Sequence, residues 1–388
     1  MNPKEGASEI IAKRREELIA LSHRIHANPE IGFEEEKAAT WLSEILAESG
    51  FEVRKGAYDL PTAFVAKAGN GPLHLAICAE YDCLPAIGHA CGHNLIAAMA
   101  VGAGVAAATL ADEAGLTVSV FGTPAEEICD GGGKILLLER GAFDGVHAAM
   151  MVHPAPMDLL DPSIIAAAMF DVHYTGKAAH ASAFPELGVN AADALTVAQT
   201  AIGLLRQHIR PTDRIHGIIT KGGDAPNIVP AQTSARYTVR ARSLAELEAI
   251  RSKVQRCFEA GAIATGSKLE IVGGAKPYAH MKHDPAIGAI YRRNSEALGR
   301  QCPNQRPAGD AIAASTDMGN LSLALPSIHP MIGINSLPAV NHQPEFTAHC
   351  VTESADKAVI DGSLAMAWTA IDIAFDAELR ARLMKQSA

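Results

Sequence analysis

The sequence predicts an α/β protein with a second, ferredoxin-like α+β domain inserted into the first. The chain of 388 residues is longer than a single hydrophobic core usually supports. Apolar runs alternate with helical stretches in its first half, which is typical of a mostly parallel sheet covered by helices. The middle of the chain has a different strand and helix order. We therefore expect a first domain at residues 1–169 and 280–388 and an inserted domain at residues 170–279.

Composition and charge favour a globular protein that acts on small molecules. Apolar residues make up 48% and charged residues 20% of the chain, as in ordinary globular domains. The formal charge of −10 argues against a nucleic-acid partner, because Lys and Arg drive binding to phosphate backbones. Residues 1–15 show no signal-peptide pattern, and the longest apolar stretch, residues 95–110, is too short to span a membrane. Seven irregularly spaced Cys do not predict disulfides, so we expect reduced thiols, a cytoplasmic location and no membrane partner.

The first domain begins with helices. Apolar residues at helical spacing predict one helix over residues 8–27, ended by an Asn-Pro pair, and another over about residues 34–48. A short strand is expected at residues 51–53. Three buried strands follow at residues 73–78, 117–121 and 148–152. Each ends in a polar cluster, and ligands of such sheets bind outside the carboxyl ends of the strands.

The inserted domain has the element order βαββαβ, which is the ferredoxin-like arrangement. Its elements are expected at residues 170–175, 190–209, 216–220, 233–241, 243–261 and 268–272. A Ser-Leu-Ala-Glu capping box at Ser243 opens the second helix. After the insertion, residues 284–300 and 328–334 are expected to complete the first domain's sheet and its helices, and residues 353–383 to form a terminal helix.

A cluster of possible metal ligands lies in the segment GHACGHN at residues 88–94. His89, Cys91 and His93 occupy every second position, so a locally extended backbone would turn all three side chains to one side. A thiolate with imidazoles suits zinc or manganese better than magnesium or calcium. A buried thiol flanked by loop histidines has the same local pattern, so the segment alone leaves both interpretations open.

Further candidates follow the three strands. Asp82 comes after the first strand, the adjacent Glu126 and Glu127 after the second, and His153 after the third, while His342 is a late candidate. Taken singly, a solvated acidic loop explains Glu126 and Glu127, and a strand-end histidine with a satisfied hydrogen bond explains His153. Adjacent acids cannot point the same way, so one can bind a metal while its neighbour faces the water. Together these signals favour metal-assisted hydrolysis.

Two glycine-containing segments match phosphate-binding motifs without their context. Residues 102–107 fit the dinucleotide fingerprint, but they lie inside an apolar helical stretch instead of between a strand and a helix start. Residues 131–134 lack the following Ser or Thr and the second upstream Gly of a phosphate loop. We interpret this second segment as a flexible turn behind the acidic pair.

In combination, the motifs resemble peptidase family M20. The strand-end motifs that carry the resemblance are AEYDCLP at residues 79–85, GHACGH at 88–93, PAEE at 124–127 and HP at 153–154. HANPEIGF at residues 26–33 is similar to the family's N-terminal signature, and GKAAHAS at residues 176–182 is similar to its lid-domain signature. The resemblance therefore covers nearly the whole chain.

The resemblance implies a metallopeptidase-type α/β catalytic domain with an inserted lid and dimerisation domain. It also implies two divalent metal ions, zinc or manganese, and a homodimer or higher homo-oligomer. The implied ligands are Cys91, His93, Glu127, His153 and His342. Glu126 would be the general base, His180 would stabilise the oxyanion in the neighbouring subunit's site, and Asn227 and Arg240 would contact substrate, with Asp82 supporting the ligands from behind.

The activity that the resemblance implies is hydrolysis of the amide bond of an N-acyl amino acid or dipeptide with a free carboxylate. The motifs are most similar to the branch containing β-alanyl-lysine dipeptidase and the p-aminobenzoyl-glutamate hydrolase subunits. Asn94 stands where the auxin-conjugate branch has Asp, which leaves the metal preference and the occupancy of the second metal site open; alternatively Asn94 caps the following helix. The sequence also leaves open an aryl-amide hydrolase or deaminase on the same scaffold. A non-catalytic metal-binding homologue is less consistent with the sequence, because Glu126 is present.

Overall fold

The computed structural model describes residues 2–303 and 314–386. The chain divides into two compact units. The first unit consists of Met1–Ile128, Gly132–Ser163 and Met281–Ala388. The inserted unit consists of Cys129–Gly131 and Ile164–His280.

Strands and helices alternate along both units. In chain order, the strands are β1 (Glu52–Lys55), β2 (Phe64–Ala68), β3 (Leu73–Ala79), β4 (Leu116–Gly122), β5 (Ala148–Met150), β6 (His153–Ala155), β7 (Ala166–Thr175), β8 (Arg214–Lys221), β9 (Gln232–Ala241), β10 (Lys268–Gly273), β11 (Ser327–Ile328) and β12 (Met331–Gly333). The helices are α1 (Pro3–Lys13), α2 (Arg15–His26), α3 (Glu36–Glu48), α4 (His93–Ala108), α5 (Ala111–Ala114), α6 (Gly133–Glu139), α7 (Ala191–Leu205), α8 (Leu244–Thr265), α9 (Pro285–Ala297), α10 (Met318–Ala324), α11 (Pro344–His349), α12 (Glu353–Phe375) and α13 (Ala377–Gln386).

The first unit is built on a six-stranded sheet in the order β1-β2-β4-β3-β5-β11. The pairs β4–β3, β3–β5 and β5–β11 are parallel, whereas β2 runs antiparallel to both of its neighbours. The predicted, mostly parallel α/β sheet is therefore confirmed. The expected strand at residues 328–334 is split, because Pro330 interrupts it and proline has no backbone N–H to donate to a ladder. Its second half, β12, pairs with β6 outside the main sheet.

Helix α4 lies at the centre of the first unit. Nearly all of its side chains are small or apolar and buried, as expected for a helix covered on every side. It packs against β3, β4 and α12. A Cβ atom at Gly102 would lie 2.4 Å from Ser363 Oγ, and one at Gly104 would lie 2.4 Å from Val120 Cγ2. The glycines of residues 102–107 thus serve close helix packing, and the segment lies well inside α4.

Two predicted helices are each broken in two. The helix expected over residues 8–27 is broken at Arg14, which lies between the end of α1 and the start of α2. Arg14 has non-helical dihedral angles of φ −100° and ψ 7°. The terminal helix expected over residues 353–383 breaks at Asp376, whose side chain accepts a hydrogen bond of 2.9 Å from the Leu379 N–H at the start of α13. By length and composition α12 is long and apolar enough to cross a membrane, but 72% of its most apolar 18-residue stretch is buried inside the protein. It is the longest core helix of the first unit.

The inserted unit has the predicted βαββαβ order. Its four strands form an antiparallel sheet in the order β10-β7-β9-β8, which is the ferredoxin-like topology. Helices α7 and α8 pack together beside this sheet. Asn190 caps α7 and Ser243 caps α8 through their side-chain oxygens, as expected for N-cap residues. The fold class predicted from the sequence is confirmed for this unit as well.

Candidate metal centre

The metal-binding candidates of the first unit meet where its parallel strands end. Asp82 follows β3, Glu126 and Glu127 follow β4, and His153 begins β6. Cys91 lies just before α4. The arrangement follows from the topology, because the carboxyl ends of parallel neighbours open at one edge of the sheet.

The segment at residues 88–94 turns and then enters α4 at His93, so the expectation of an extended backbone is wrong. Gly92 has a φ of +85°, and a Cβ atom there would lie 2.5 Å from Pro154 Cγ. A residue with a side chain fits neither this dihedral angle nor this space. The turn directs the His89 side chain away from Cys91 and His93. The His89 ring is buried and stacks on the His26 ring, with 6.1 Å between the ring centroids. Only two of the three alternating side chains therefore reach the candidate site, Cys91 and His93.

Cys91, His93 and His153 form a first group of possible ligands. One donor atom from each lies within 4.8 Å of the other two, and Cys91 Sγ is 3.4 Å from His153 Nε2. The Pro154 carbonyl accepts a 2.8 Å hydrogen bond from His153 Nδ1, which leaves the Nε2 lone pair directed to the site. Burial lowers the pKa of His153 to about 4, so its ring is neutral and able to bind a metal.

The Asp82 carboxylate fixes the orientation of the His93 ring. Its Oδ1 atom is 2.9 Å from His93 Nδ1, and its Oδ2 atom accepts a 2.9 Å hydrogen bond from the Glu127 N–H. One carboxylate thus orients an imidazole and anchors the loop that carries the acidic pair. Burial lowers the pKa of His93, but its interactions with Cys91 and with the Asp82 carboxylate outweigh burial and raise that pKa well above its usual value. A proton or a metal cation is therefore favoured at His93 Nε2.

Glu127 and His342 complete a second group with Cys91. Glu127 Oε1 is 3.7 Å from His342 Nε2 and 3.8 Å from His93 Nε2. His342 reaches the site from the loop after β12, where its backbone N–H donates to the Ala90 carbonyl at 2.9 Å. Its side chain is 56% exposed, so this side of the centre is open to solvent.

Glu126 lies beside the same imidazole, with Oε2 3.7 Å from His93 Nε2. Burial and the carboxylates of Glu80 and Glu127 raise the pKa of Glu126 well above its usual value. Burial also raises the pKa of Glu127 and of the Cys91 thiol. A cation among these groups opposes all three shifts, because it stabilises their ionised forms.

The donor set fits divalent cations. Among the described residues, His93 Nε2, Glu80 Oε2 and Glu127 Oε1 are buried without a hydrogen-bond partner. Leaving such an atom unsatisfied costs about 1–3 kcal/mol. The carboxyl groups of Glu80, Asp82, Glu126, Glu127 and Asp317 converge here, and Lys134 is buried among them. Cations would satisfy the open lone pairs and balance the excess negative charge.

The structure adds a buried ion-pair cluster of Glu80, Lys134 and Asp317 that the sequence interpretation missed. The flexible turn expected at residues 131–134 is wrong in its second half, since Gly133 and Lys134 begin α6. Lys134 Nζ contacts both Glu80 and Asp317, and all three side chains are fully buried. A Cβ atom at Gly133 would lie 2.1 Å from the Pro124 carbonyl oxygen, which explains the glycine. The signal available in the sequence was a Lys directly before an apolar run of four residues.

Asn94 is not a helix cap. Helix α4 has Gly92 at its N-cap position, and Asn94 lies inside the first turn. Its Nδ2 atom donates to Ser22 Oγ at 2.9 Å and to the Cys350 carbonyl at 3.2 Å. Asn94 therefore links α4 to the two segments that flank its amino end.

The remaining predicted site residues, His180, Asn227 and Arg240, belong to the inserted unit. His180 is exposed, and its Nδ1 atom accepts hydrogen bonds from the N–H groups of Ser182 (3.3 Å) and Ala183 (3.2 Å). Its proton therefore lies on Nε2, which can donate a hydrogen bond. The Asn227 carbonyl accepts a 3.0 Å bond from the Ala181 N–H, and Arg240 is a half-buried residue of β9.

Comparison with known proteins relates both units to metallohydrolases. Residues 166–265 match the peptidase dimerisation domain. The Xaa-Arg dipeptidase of Mus musculus is 38% identical over 402 residues, covering 99% of this chain and 91% of that protein. A p-aminobenzoyl-glutamate hydrolase subunit of Escherichia coli is 32% identical over 283 residues, covering 68% and 58% respectively. A crystal structure described as a dinuclear metal-binding peptidase of family M20, from Bacillus subtilis, matches with a TM-score of 0.67 at 22% identity, covering 93% of this chain and 99% of that one.

Proposed function

This chain belongs to peptidase family M20, and from that membership we propose that it is a metal-dependent dipeptidase or amidohydrolase. It cleaves the amide bond of a dipeptide or N-acyl amino acid that carries a free carboxylate. The observation that carries the proposal is the convergence of a buried thiol, imidazoles and carboxylates around Glu126. The 38% identity to a dipeptidase over nearly the whole chain supports the same activity.

We assign the metal ligands as Cys91, His93, Glu127, His153 and His342, with two divalent cations held among them. A thiolate with imidazoles and a carboxylate suits zinc or manganese. When bound, these cations would polarise the scissile carbonyl and acidify the attacking water. The unsatisfied buried atoms at His93 and Glu127 support this ligand assignment.

Glu126 acts as the general base in this proposal. It takes a proton from the attacking water and delivers it to the leaving nitrogen, so the same carboxyl group is base and then acid. Its buried position and its carboxylate neighbours, which raise its pKa, suit a group that must hold the proton between the two steps. Asp82 keeps His93 oriented throughout, because it bonds to both the imidazole and the loop of the acidic pair.

Residues of the inserted unit provide substrate recognition. The proton on His180 Nε2 suits a hydrogen bond to the carbonyl oxygen as negative charge develops on it. The planar guanidinium of Arg240 matches a substrate carboxylate in a bidentate pair, with Asn227 as a second contact. The match of residues 166–265 to a dimerisation domain supports a homodimer or higher homo-oligomer in which these residues act.

Dipeptides ending in arginine are the first substrates to test, given the name of the mouse relative. The panel should also include p-aminobenzoyl-glutamate, because the Escherichia coli relative favours an aryl-amide hydrolase as the second candidate. Mass spectrometry after incubation should show release of the carboxy-terminal amino acid. A chelator should abolish the release, and added Mn²⁺ or Zn²⁺ should restore it. Metal-loaded protein that cleaves no member of the panel would instead be a non-catalytic homologue.

The two adjacent glutamates should respond differently to substitution. Glu126→Gln keeps the size of the side chain but cannot shuttle a proton, so we expect near-normal metal content with kcat lower by about 10²–10⁴-fold. Glu127→Ala removes a ligand and should lower the metal content itself. Metal analysis and turnover of both variants test this, with the exposed Glu44→Gln as a control. Loss of metal in Glu126→Gln together with full metal content in Glu127→Ala would reverse the assignment.

A further inference from the structure

Glu80 lies at the metal centre, although the ligand assignment above does not include it. It is the residue directly after β3, two positions before Asp82, and its side chain is fully buried. One carboxylate oxygen, Oε2, is 3.4 Å from His93 Nε2 and has no hydrogen-bond partner among the described residues. The same side chain forms a possible metal-binding group with His93 and Glu126.

The other carboxylate oxygen of Glu80 is held from behind. Lys134 Nζ contacts Glu80 Oε1 at 2.5 Å and also contacts Asp317 Oδ1. Asp317 in turn accepts a 2.9 Å hydrogen bond from the backbone N–H of Lys134, so both ends of the lysine are fixed. Burial lowers the pKa of Lys134, but Asp317 and Glu80 outweigh it and raise that pKa, so the lysine stays charged. Glu80 can therefore offer only its Oε2 atom to the site.

The contact between Glu80 and His93 needs a cation or a proton between its two atoms. His93 Nδ1 is 2.9 Å from the Asp82 carboxylate, so the proton of a neutral ring lies there and Nε2 is an acceptor. Two acceptors facing each other at 3.4 Å repel. A hydrogen bond between an imidazolium and a carboxylate is usually about 2.7–2.9 Å long. Two ligands on one tetrahedral metal, with bonds of about 2.0–2.1 Å, lie roughly 3.3 Å apart.

Charge leads to the same conclusion. With both carboxyl groups ionised and the lysine protonated, Glu80, Asp317 and Lys134 would hold two negative charges and one positive charge, and all three side chains are fully buried. The cluster is thus left with one negative charge that the protein does not balance locally. A buried charge of this kind is costly unless it is paired or binds a metal. The unpaired oxygen faces His93, which places the compensating cation on that side.

We infer that Glu80 is an additional metal ligand, bound through Oε2 to the cation that His93 holds, and that Lys134 and Asp317 position it. The inference rests on the metal centre of the proposed function. The site then contains six protein ligands, and the cation at His93 gains a negatively charged oxygen. Lys134 and Asp317 are positioning residues in this arrangement, since they act on the metal only through Glu80.

Glu80→Gln tests the inference. The amide oxygen can still accept a hydrogen bond from Lys134, which turns the amide nitrogen, a group without a lone pair for metals, toward His93. Asp361→Asn is the control, because it removes a buried negative charge from another ion-pair cluster, formed with Arg300 and Lys357, and changes neither a proposed ligand nor a positioning residue. Metal content after dialysis, and dissociation constants from competition with a chromogenic chelator, should be measured with Zn²⁺, Mn²⁺ and Co²⁺. Circular dichroism establishes that each variant is folded.

We expect Glu80→Gln to bind one of the two metal ions more than tenfold more weakly and to change the visible spectrum of bound Co²⁺, which reports the ligand set. Asp361→Asn should keep the wild-type Co²⁺ spectrum and metal content. Wild-type metal affinities and spectrum in Glu80→Gln, or equal changes in both variants, would overturn the inference. If Glu80→Gln does not fold, Glu80→Asp replaces it, since its shorter side chain keeps the charge but retracts the oxygen; unchanged metal affinities in Glu80→Asp would likewise overturn the inference.

These outcomes are separable from the fate of the proposed function. A wild-type protein that binds two metal ions but hydrolyses no amide in the panel would refute the dipeptidase activity, while the metal measurements would still decide the role of Glu80. Conversely, an active enzyme whose Glu80→Gln variant binds both metal ions normally would keep the proposed function and exclude Glu80 as a ligand.

Discussion

Glu35 supports the acidic pair from outside the ligand set. Its side chain is fully buried, and Oε1 accepts a 2.7 Å hydrogen bond from the backbone N–H of Ala125, directly before Glu126. Ala125 has a φ of +60°, a left-handed conformation that costs a non-glycine residue roughly 1–2 kcal/mol. The hydrogen bond thus stabilises a strained residue directly before Glu126, the proposed general base.

Removing this hydrogen bond should lower activity without removing metal. Glu35→Ala should reduce kcat by at least tenfold with near-normal metal content, because the loop before Glu126 loses its anchor. Adding Ala125→Gly should restore part of the activity, since glycine adopts a positive φ without strain. Steady-state kinetics and metal analysis measure both effects. Glu30→Gln is the control, since Glu30 also accepts backbone hydrogen bonds, from Lys37 and Ala38; equal losses in both single variants would contradict the prediction.

The same residue predicts a pH dependence of stability. Burial and the nearby Asp82 raise the pKa of Glu35 from 4.5 to about 7. Between these values the folded protein keeps a proton that the unfolded chain has released, so this group lowers the free energy of unfolding as pH rises from 4.5 to 7. Glu35→Gln does not titrate, so its stability relative to the wild type should increase over this range, by up to about 3 kcal/mol. Urea unfolding in the presence of a chelator measures the difference; a constant difference across the range would exclude it.

Contacts between residues that are far apart in the chain account for the parts of the site that the sequence could not predict. Asp82, the acidic pair and His153 were found because each follows a predicted strand, and Cys91 and His93 because they form a compact local cluster of possible donors; both kinds of pattern are local. Glu35 acts on a residue 90 positions away, and Lys134 on Asp317, 183 positions away. Such pairs form only after the chain has folded, so a single sequence does not identify them.

At the scale of elements, the packing of α4 against α12 and the sheet depends on glycine. Gly102 is in contact range of Ser363 and Leu18, where an added Cβ atom would lie within 2.4 and 2.9 Å of side-chain atoms. Glycine usually weakens a helix interior by about 0.5–1 kcal/mol relative to alanine. It is retained here because the neighbouring helix occupies the space of a side chain.

Opposite effects are therefore expected for two glycine substitutions in helices. Gly102→Ala should destabilise the protein by about 1–3 kcal/mol, because the core must shift to admit the methyl group. Gly203→Ala, in α7 where no atom lies within 4 Å of the new Cβ, should stabilise it by about 0.5–1 kcal/mol through helix propensity. Denaturant unfolding of both variants gives the comparison, and the prediction fails if the two changes have the same sign.

Elements with regular periodicity were predicted better than their breaks. The buried strands β3 and β4 and the elements of the inserted unit lie within a few residues of their expected positions. The breaks at Arg14 and Asp376 were missed, because neither a glycine nor a proline marks them. Strand β2, next to the edge strand β1, was missed too. It is only five residues long and contains a lysine, so its apolar pattern is weak.

At the scale of the whole molecule, the proposed chemistry draws on residues of both units. The metal donors belong to the first unit, whereas His180 belongs to the inserted unit. The family resemblance implies that His180 acts in the site of a partner chain. Activity would then depend on assembly, and a monomeric protein would lack its oxyanion donor.

Mixed oligomers test this dependence. His180→Ala and Glu126→Gln chains should each be nearly inactive alone, because each lacks a different catalytic group. After the chains are mixed, denatured mildly and reassembled, hybrids should recover a fraction of wild-type activity, since one site in each hybrid has both groups. Differently tagged chains allow the hybrids to be isolated. Inactive hybrids of confirmed composition would remove the role of His180 in a partner's site.

The insertion also determines the order in which the protein can be built. Helix α12 packs on α4, yet the whole inserted unit lies between them in the chain. At roughly 5–20 residues per second of synthesis, α12 is completed about 5–20 s after His280. During this interval the inserted unit can fold, while α4 lacks its main helical partner and His342 is added only in the last part of the interval. Metal capture is therefore expected to be a late step in the protein's maturation, after the inserted unit has already formed.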